Sequence, residues 1–346
     1  MKLSIVIIGH FGGNETFNDG QTIKTITIYN ALKKIDNEKV KKIDTYYIKK
    51  NPLKFCFSLL TETIRNKKYI VLLSEKGRKV LFPILSFMSK YVNKEIFHYA
   101  IGGRLADEVL KSKKMKKYVQ SFSSNWVESK KLAKQLQELG VENTIYIPNF
   151  KKISIVDESK LCQEYCEPYR LCTFSRVMEE KGIGDAIVAV RNINTEANRE
   201  VVTLDIYGSV EKKYKEEFYA MLQKGKSCRY CGVVSASESV EILKDYYLLL
   251  FPTKWKAEGM PGTIIDALSA GLPSIVKRWE YSDEMIENNI TGYVYDKPEQ
   301  LKEVILYAIK HVPEVLEMKY ACINKAKEYG EEYIMKEIKK QLGISQ

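Results

Sequence analysis

Leu3–Ile8 is an unbroken apolar, β-branched run ending in Gly9, the pattern of a strand buried on both faces. The loop Gly9–Gly20 follows, with Gly12-Gly13 and Asn18-Asp19-Gly20. Thr22–Lys34 then carries apolar residues at Ile23, Ile26, Tyr29, Ala31 and Leu32, which predicts a helix. Ile43–Ile48, Tyr69–Leu73 and Glu95–Tyr99 are strand-like, with helical patterns between them. Lys130–Leu139 predicts a helix closed by Gly140, and Thr144–Ile147 a strand stopped by Pro148. Strand and helix alternate at the rhythm of a parallel, doubly wound sheet.

The alternation restarts after an irregular stretch from Asn149 to about Pro168. Arg170–Ser175, Thr203–Tyr207, Tyr247–Phe251 and Ser274–Val276 read as strands. One helix starts over Gly182–Val190, another spans Thr263–Ala270 before Gly271, and Ile323–Leu342 is a charged helical tail. The expected class is α/β, with two doubly wound Rossmann-like domains facing a cleft. Residues 1–150 form the first domain, 151–168 a linker and 169–322 the second. A helix in 323–346 is expected to pack back on the first domain.

Composition narrows the field. A chain of 346 residues with 45% hydrophobic and 29% charged residues is that of a folded, soluble protein of about two domains. No apolar run approaches the roughly 18 residues of a membrane span, and the start lacks a secretory pattern, so neither spanning nor secretion is expected. Residues 1–150 hold 27 Lys/Arg against 13 Asp/Glu, whereas 151–346 hold 28 against 31. The basic excess is densest at Lys111, Lys113, Lys114, Lys116 and Lys117. Either a polyanionic partner for one domain or plain solvated helix faces accounts for it. Seven cysteines, an odd number, indicate a reducing compartment. Cys228 and Cys231 lack a second pair at matching spacing, so no metal site is expected.

Ligands of such sheets bind at the carboxyl ends of strands. Four groups fall there: Gly12-Gly13; His98 with Gly102-Gly103-Arg104; Arg176 and Lys181; and Glu258, Gly259, Gly262 and Asp266. Pro261 has no N–H, so Gly262 and Thr263 are the donors at a helix start suited to a diphosphate. Glu258 and Asp266 would bracket it, and Arg176 and Lys181 would neutralise it. Taken singly, each has a plainer alternative. Glu258 is then a solvated loop acid, Asp266 a helix-dipole partner, and the two cations surface partners of Glu179 and Glu180.

Together, Ser175-Arg-Val-Met-Glu-Glu-Lys181-Gly182 and Glu258-Gly-Met-Pro-Gly-Thr-Ile-Ile-Asp266-Ala-Leu-Ser-Ala-Gly-Leu-Pro273 resemble the retaining family 4 glycosyltransferases of GT-B fold. Gly12-Gly13, Ile101-Gly-Gly103, Ser121–Leu132, Ile147-Pro-Asn149 and Leu204-Asp-Ile-Tyr-Gly208 follow in that family's order. Asn18-Asp-Gly-Gln-Thr-Ile-Lys-Thr and the basic first domain are similar to bacterial enzymes of surface-polysaccharide assembly. The resemblance implies a retaining, metal-independent transferase with no cofactor. Its donor would be a nucleotide-diphosphate sugar, a UDP-sugar first among them. Its acceptor would be a glycan, linked to polyprenyl diphosphate, in capsule, exopolysaccharide or O-antigen assembly. The expected location is cytoplasmic, peripheral at the inner face of the plasma membrane.

Carried over residue by residue, the resemblance gives Glu258 the donor sugar hydroxyls and Asp266 the ribose. Arg176 and Lys181 take the diphosphate, with Gly12 and Gly13 approaching from the first domain and His98 near the acceptor or the sugar face. Gly208, Gly259, Met260, Gly262 and Thr263 complete the donor site. Asp266 stands where Glu is commoner, one methylene shorter, and Ser175 where glycine is usual. Lys79–Tyr91, with Leu81, Phe82, Ile84, Leu85, Phe87 and Met88, reads as an interfacial patch or, preferred, as a core helix of the first domain. Two competing readings remain, a sugar-nucleotide 2-epimerase of the same fold and a nucleic-acid-binding protein. The basic run at 111–117 has no interleaved aromatics and no recognition motif, so no nucleic acid is expected. The dinucleotide fingerprint, P-loop and nucleophile elbow are absent.

Overall fold

The computed structural model describes residues 4–15, 19–36, 39–151 and 154–344; Leu3 and Asn18, singled out above, lie outside them. Two units divide the chain, one of Met1–Lys152 with Glu331–Gln346 and one of Ile153–Gly330.

Unit 1 is built on β1 (Ile5–Gly9), β2 (Val40–Asp44), β3 (Lys68–Leu72), β4 (Glu95–Tyr99), β5 (Ser124–Val127) and β6 (Thr144–Tyr146). They form one parallel sheet of order β2-β1-β3-β4-β5-β6. β1 is apolar throughout because both of its faces are covered. Ile5 and Ile7 pack with Ile28, Ala31 and Leu32 of the Gly20–Lys33 helix and with Ile334, Met335 and Ile338 of the Glu331–Gln341 helix. The tail is not one helix from Ile323, as its pattern suggested. Val312–Ala326 runs into a tight turn at Lys327–Tyr329, and Gly330, in extended backbone, separates it from Glu331–Gln341.

β2 also differs from expectation, ending at Asp44 where the pattern predicted a strand over Ile43–Ile48. The Asp44 carboxylate accepts the backbone N–H groups of Phe11 (2.9 Å), Gly13 (2.8 Å) and Tyr46 (2.9 Å). Those bonds turn the chain out of the sheet and into the short helix Tyr47–Lys50. The β2→β3 and β3→β4 crossovers run in the same direction across the sheet. Right-handed connection therefore puts their helices, Pro52–Arg65 and Glu75–Tyr91, on one face and Gly20–Lys33 on the other.

Unit 2 holds β7 (Tyr169–Phe174), β8 (Val202–Tyr207), β9 (Cys228–Gly232), β10 (Leu248–Phe251), β11 (Ser274–Lys277) and β12 (Gly292–Tyr295), parallel in the order β12-β11-β10-β7-β8-β9. Leu171, Leu204, Leu248 and Ile275 pack with Ile183, Ile187 and Val190 of the Ile183–Ala197 helix. After β7 the chain winds one way through β8 and β9, then returns to place β10 on β7's other side. The carboxyl ends of β7 and β10 are therefore the unit's topological switch point, where open α/β sheets bind ligands.

Candidate functional site

At that switch point, two loops from distant sequence are pressed together. The Lys254 N–H donates to the Glu180 carbonyl at 2.7 Å, and a Cβ on Gly182 would lie 2.1 Å from the Pro252 carbonyl oxygen. Glycine at 182 lets the loop after β7 close on the loop after β10. The closure joins Lys181 to Glu258 in an ion pair whose side chains are each only 10% exposed. Glu258 also accepts from the Thr253 hydroxyl at 3.0 Å, and Thr253 in turn accepts the Trp255 N–H at 3.2 Å. The Lys181 ammonium sits 5.5 Å from the centre of the Phe251 ring. Lys181 thus pairs with a carboxylate 77 residues away, not with neighbouring Glu179 or Glu180.

The Gly262–Ser269 helix begins beside this pair, after Pro261 and with no side chain capping its start. Thr263 Oγ1 donates to the Phe174 carbonyl at 2.7 Å, tying that start to the end of β7. Trp279 Nε1 donates to the Gly259 carbonyl at 2.9 Å and packs edge-on against Phe251, which fixes the loop before the helix. Met260 and Asp266 are buried. Arg176 is exposed, and no described carboxylate lies within ion-pair distance of it. Gly208, at the end of β8, lies against the Ser175 carbonyl. One cation held by a carboxylate, one free cation and an uncapped helix start thus converge on one strand edge, an arrangement suited to a polyanion beside polyhydroxyl groups. Thr253 and Trp279 escaped the sequence reading. The only sign of Thr253 was its place directly after Pro252 at a strand end.

In unit 1 the sequence expectations need correction. Gly13 does not offer a free amide to a diphosphate, because Asp44 takes its N–H, and a carboxylate beneath the loop repels an anion. Gly12 adjoins that same carboxylate-filled turn. Asp19 accepts from the Gln21 and Thr22 N–H groups and caps the Gly20–Lys33 helix. Lys24 is buried, paired with Glu128, and lies 3.3 Å above the Tyr99 ring. Burial pushes its pKa down to about 8 despite the Glu128 charge. A cavity of about 300 Å³ at the ends of β1 and β2 is lined by Gly13, Asp44, Lys42, Tyr47, Lys54 and Ser58.

His98 was expected near the acceptor or the sugar face. It lies near the end of β4, where the pattern put it, but its side chain is fully buried, edge-on to Phe82 and near Phe122. Nδ1 is 3.2 Å from Asn125 Oδ1, and Nε2 has no partner among the described residues. Burial first, then the Arg78 charge, pushes its pKa down to about 3. Unfolded histidine titrates near 6.5, so between those values only the unfolded state takes the proton. Its contribution to stability is whole above about 6.5 and is lost as pH falls toward 3. His98→Leu is expected to lose about 2 kcal/mol less stability than wild type between pH 7 and pH 5, by urea unfolding at each pH. An unchanged slope would mean that the folded protein protonates His98.

Two fully parallel six-stranded sheets with helices on their faces match the GT-B fold of the solved glycosyltransferase structures. Residues 163–329, which lie within unit 2, match the family of glycosyl transferases group 1. The amylovoran biosynthesis glycosyltransferase AmsK of Erwinia amylovora is 27% identical over 139 residues, 39% of this chain and 34% of that protein. The uncharacterized glycosyltransferase MJ1069 of Methanocaldococcus jannaschii is 22% identical over 265 residues, 75% of this chain and 61% of that one. The matched part thus spans about a third to three-fifths of these relatives' lengths. The crystal structure of Anabaena Alr3699/HepE in complex with UDP superposes with a TM-score of 0.75 at 12% identity, covering 99% of this chain and 100% of that one.

Proposed function

We propose that the protein transfers a sugar, with retention of anomeric configuration, from a nucleotide-diphosphate donor to a glycan hydroxyl. The observation that carries this reading is the Lys181–Glu258 pair set beside exposed Arg176 and the uncapped helix start at Gly262. Arg176, Lys181 and the Gly262 and Thr263 N–H groups would neutralise the leaving diphosphate. Glu258 would accept hydroxyls of the donor sugar, and Asp266 would reach the ribose. As the glycosidic C–O bond breaks, the anomeric carbon gains oxocarbenium character. The acceptor oxygen bonds to it on the face the phosphate leaves, and the departing phosphate oxygen takes the acceptor's proton. Protein cations supply the charge, so the reaction needs no metal. The complex of HepE with UDP favours a UDP-sugar donor, and the likeness to an amylovoran biosynthesis glycosyltransferase favours a biosynthetic role; a lipid-linked acceptor in surface-polysaccharide assembly at the cytoplasmic face completes the proposal.

Incubation with a panel of UDP- and GDP-sugars, read by thermal shift and by product NMR, tests the reading. An α-configured product from an α-configured donor is expected, and an inverted product would overturn the mechanism. A donor isomerised without any acceptor would establish the epimerase instead. Arg176→Ala is expected to keep the wild-type melting temperature, since Arg176 is exposed and outside any described ion pair, yet to transfer about 10²-fold more slowly. Unimpaired transfer by that variant would remove Arg176 from the site.

A further inference from the structure

On the Pro52–Arg65 helix, Phe55 and Leu59 face the core, but Leu53, Phe57, Leu60 and Ile64 do not. On the Glu75–Tyr91 helix, Leu81, Phe82, Leu85 and Met88 are buried, whereas Val80, Ile84, Phe87 and Tyr91 lie outside. These eight outward side chains are 45% to 84% exposed. Both stripes share the spacing i, i+4, i+7, i+11, which confines each to an arc of about 60° at 3.6 residues per turn. The two helices lie on the same face of the unit 1 sheet, so both stripes are turned outward on that side of the unit. Soluble monomers rarely leave large apolar surfaces bare.

The charge around it selects the occupant. Residues 47–91 carry ten Lys and Arg against two Glu. Lys54, Arg65, Lys76, Lys79 and Lys90 are exposed on the two helices, and Lys49 and Lys50 on the short helix that precedes the first, while Glu75 is occupied by Lys79 at 2.7 Å. A second copy docked here would bring lysine against lysine. An anionic bilayer instead offers acyl chains to the stripes and headgroup phosphates to the ammonium groups. No described helix is long and apolar enough to cross a membrane, so the contact is interfacial.

We infer that the outer face of the Pro52–Arg65 and Glu75–Tyr91 helices is a docking surface for anionic lipid bilayers. It extends the membrane location proposed above to named side chains and stands on unit 1 alone. The 300 Å³ cavity at the ends of β1 and β2 opens beside the first turn of the Pro52–Arg65 helix, with Lys54 lining it.

The test is flotation of the full chain with vesicles of phosphatidylglycerol and phosphatidylethanolamine, against vesicles of phosphatidylcholine alone. Wild type is expected to float with the anionic vesicles and about tenfold less with the neutral ones. The variant Phe57→Ser/Ile64→Ser/Ile84→Ser/Phe87→Ser, checked for folding by circular dichroism, is expected to lose at least tenfold of the binding. Lys49→Gln/Lys50→Gln/Lys76→Gln/Lys90→Gln, which leaves every packed residue in place, is expected to lose the preference for anionic lipid. Failure of wild type to float, or equal flotation of both variants, would overturn the docking surface. So would a solution dimer, seen by sedimentation, that the serine variant dissociates. No sugar donor is present, so failure here leaves the transfer reaction untouched, and loss of transfer alone leaves the docking surface untouched.

Discussion

Lys181→Ala is expected to slow sugar transfer about 10³-fold, the upper range for removing one donor to a developing anion. It is also expected to destabilise unit 2, because it strands the Glu258 carboxylate at a site only 10% exposed. Breaking a buried pair costs about 3–5 kcal/mol when burial is complete. The remaining exposure and the Thr253 hydroxyl bond at 3.0 Å reduce that cost here. A single variant therefore confounds stability with chemistry, and the double variant separates them. Lys181→Met/Glu258→Gln removes both charges and keeps similar volumes, so thermal stability is expected to recover toward wild type. Transfer is expected to stay at least 10³-fold down, because neither the phosphate cation nor the carboxylate for the sugar hydroxyls returns. Transfer that recovered along with stability would show the pair to be a structural clasp, and Glu258 and Lys181 would leave the site.

That pair also shows how far the sequence could be read. Glu258 and Lys181 were each legible from a strand end followed by a loop and a helix start, but their union across 77 residues was not. It depends on Gly182 allowing the loops to touch, a contact with no local signature. Strands buried on both faces were legible because they are continuous apolar runs, as in Ile5–Ile8 and Leu248–Phe251. The end of β2 was not, since Asp44 stops it by bonding to amides 33 and 31 residues back in the chain. The burial of the His98 side chain was not legible, because a run buried on both faces does not reveal which way a residue points. The outer stripe was hidden for a related reason. Leu53, Phe55, Phe57, Leu59, Leu60 and Ile64 occupy two faces of one helix, and spacing cannot tell which face the sheet covers.

Gly208→Ala is expected to destabilise the protein by about 3 kcal/mol or more, in the tail of point-substitution effects. Gly208 was expected to touch the donor, yet its place in the fold is first a matter of sterics. A Cβ there would lie 1.8 Å from the Ser175 carbonyl oxygen, and φ is +133°, a region that side chains avoid. Backbone on both sides leaves no flexible end to move. The Gly208 N–H donates to the Gly232 carbonyl at 2.8 Å, and the Gly208 carbonyl accepts from Tyr230 at 2.9 Å. Relief would thus have to come from Ser175, the residue that carries Arg176. Gly232→Ala is the control, because φ there is +82° but nothing lies within 4 Å of the added carbon. It should cost only about 1 kcal/mol, the strain of the conformation alone. Gly182→Ala, with the Pro252 carbonyl 2.1 Å away, should resemble Gly208→Ala in melting temperature. It should also weaken donor binding more, since it pushes apart the loops that bear Lys181 and Glu258. Three equal shifts in melting temperature would mean that conformation, not contact, sets the cost, and the close approach of β7 and β8 would not be what holds Arg176 at the strand edge.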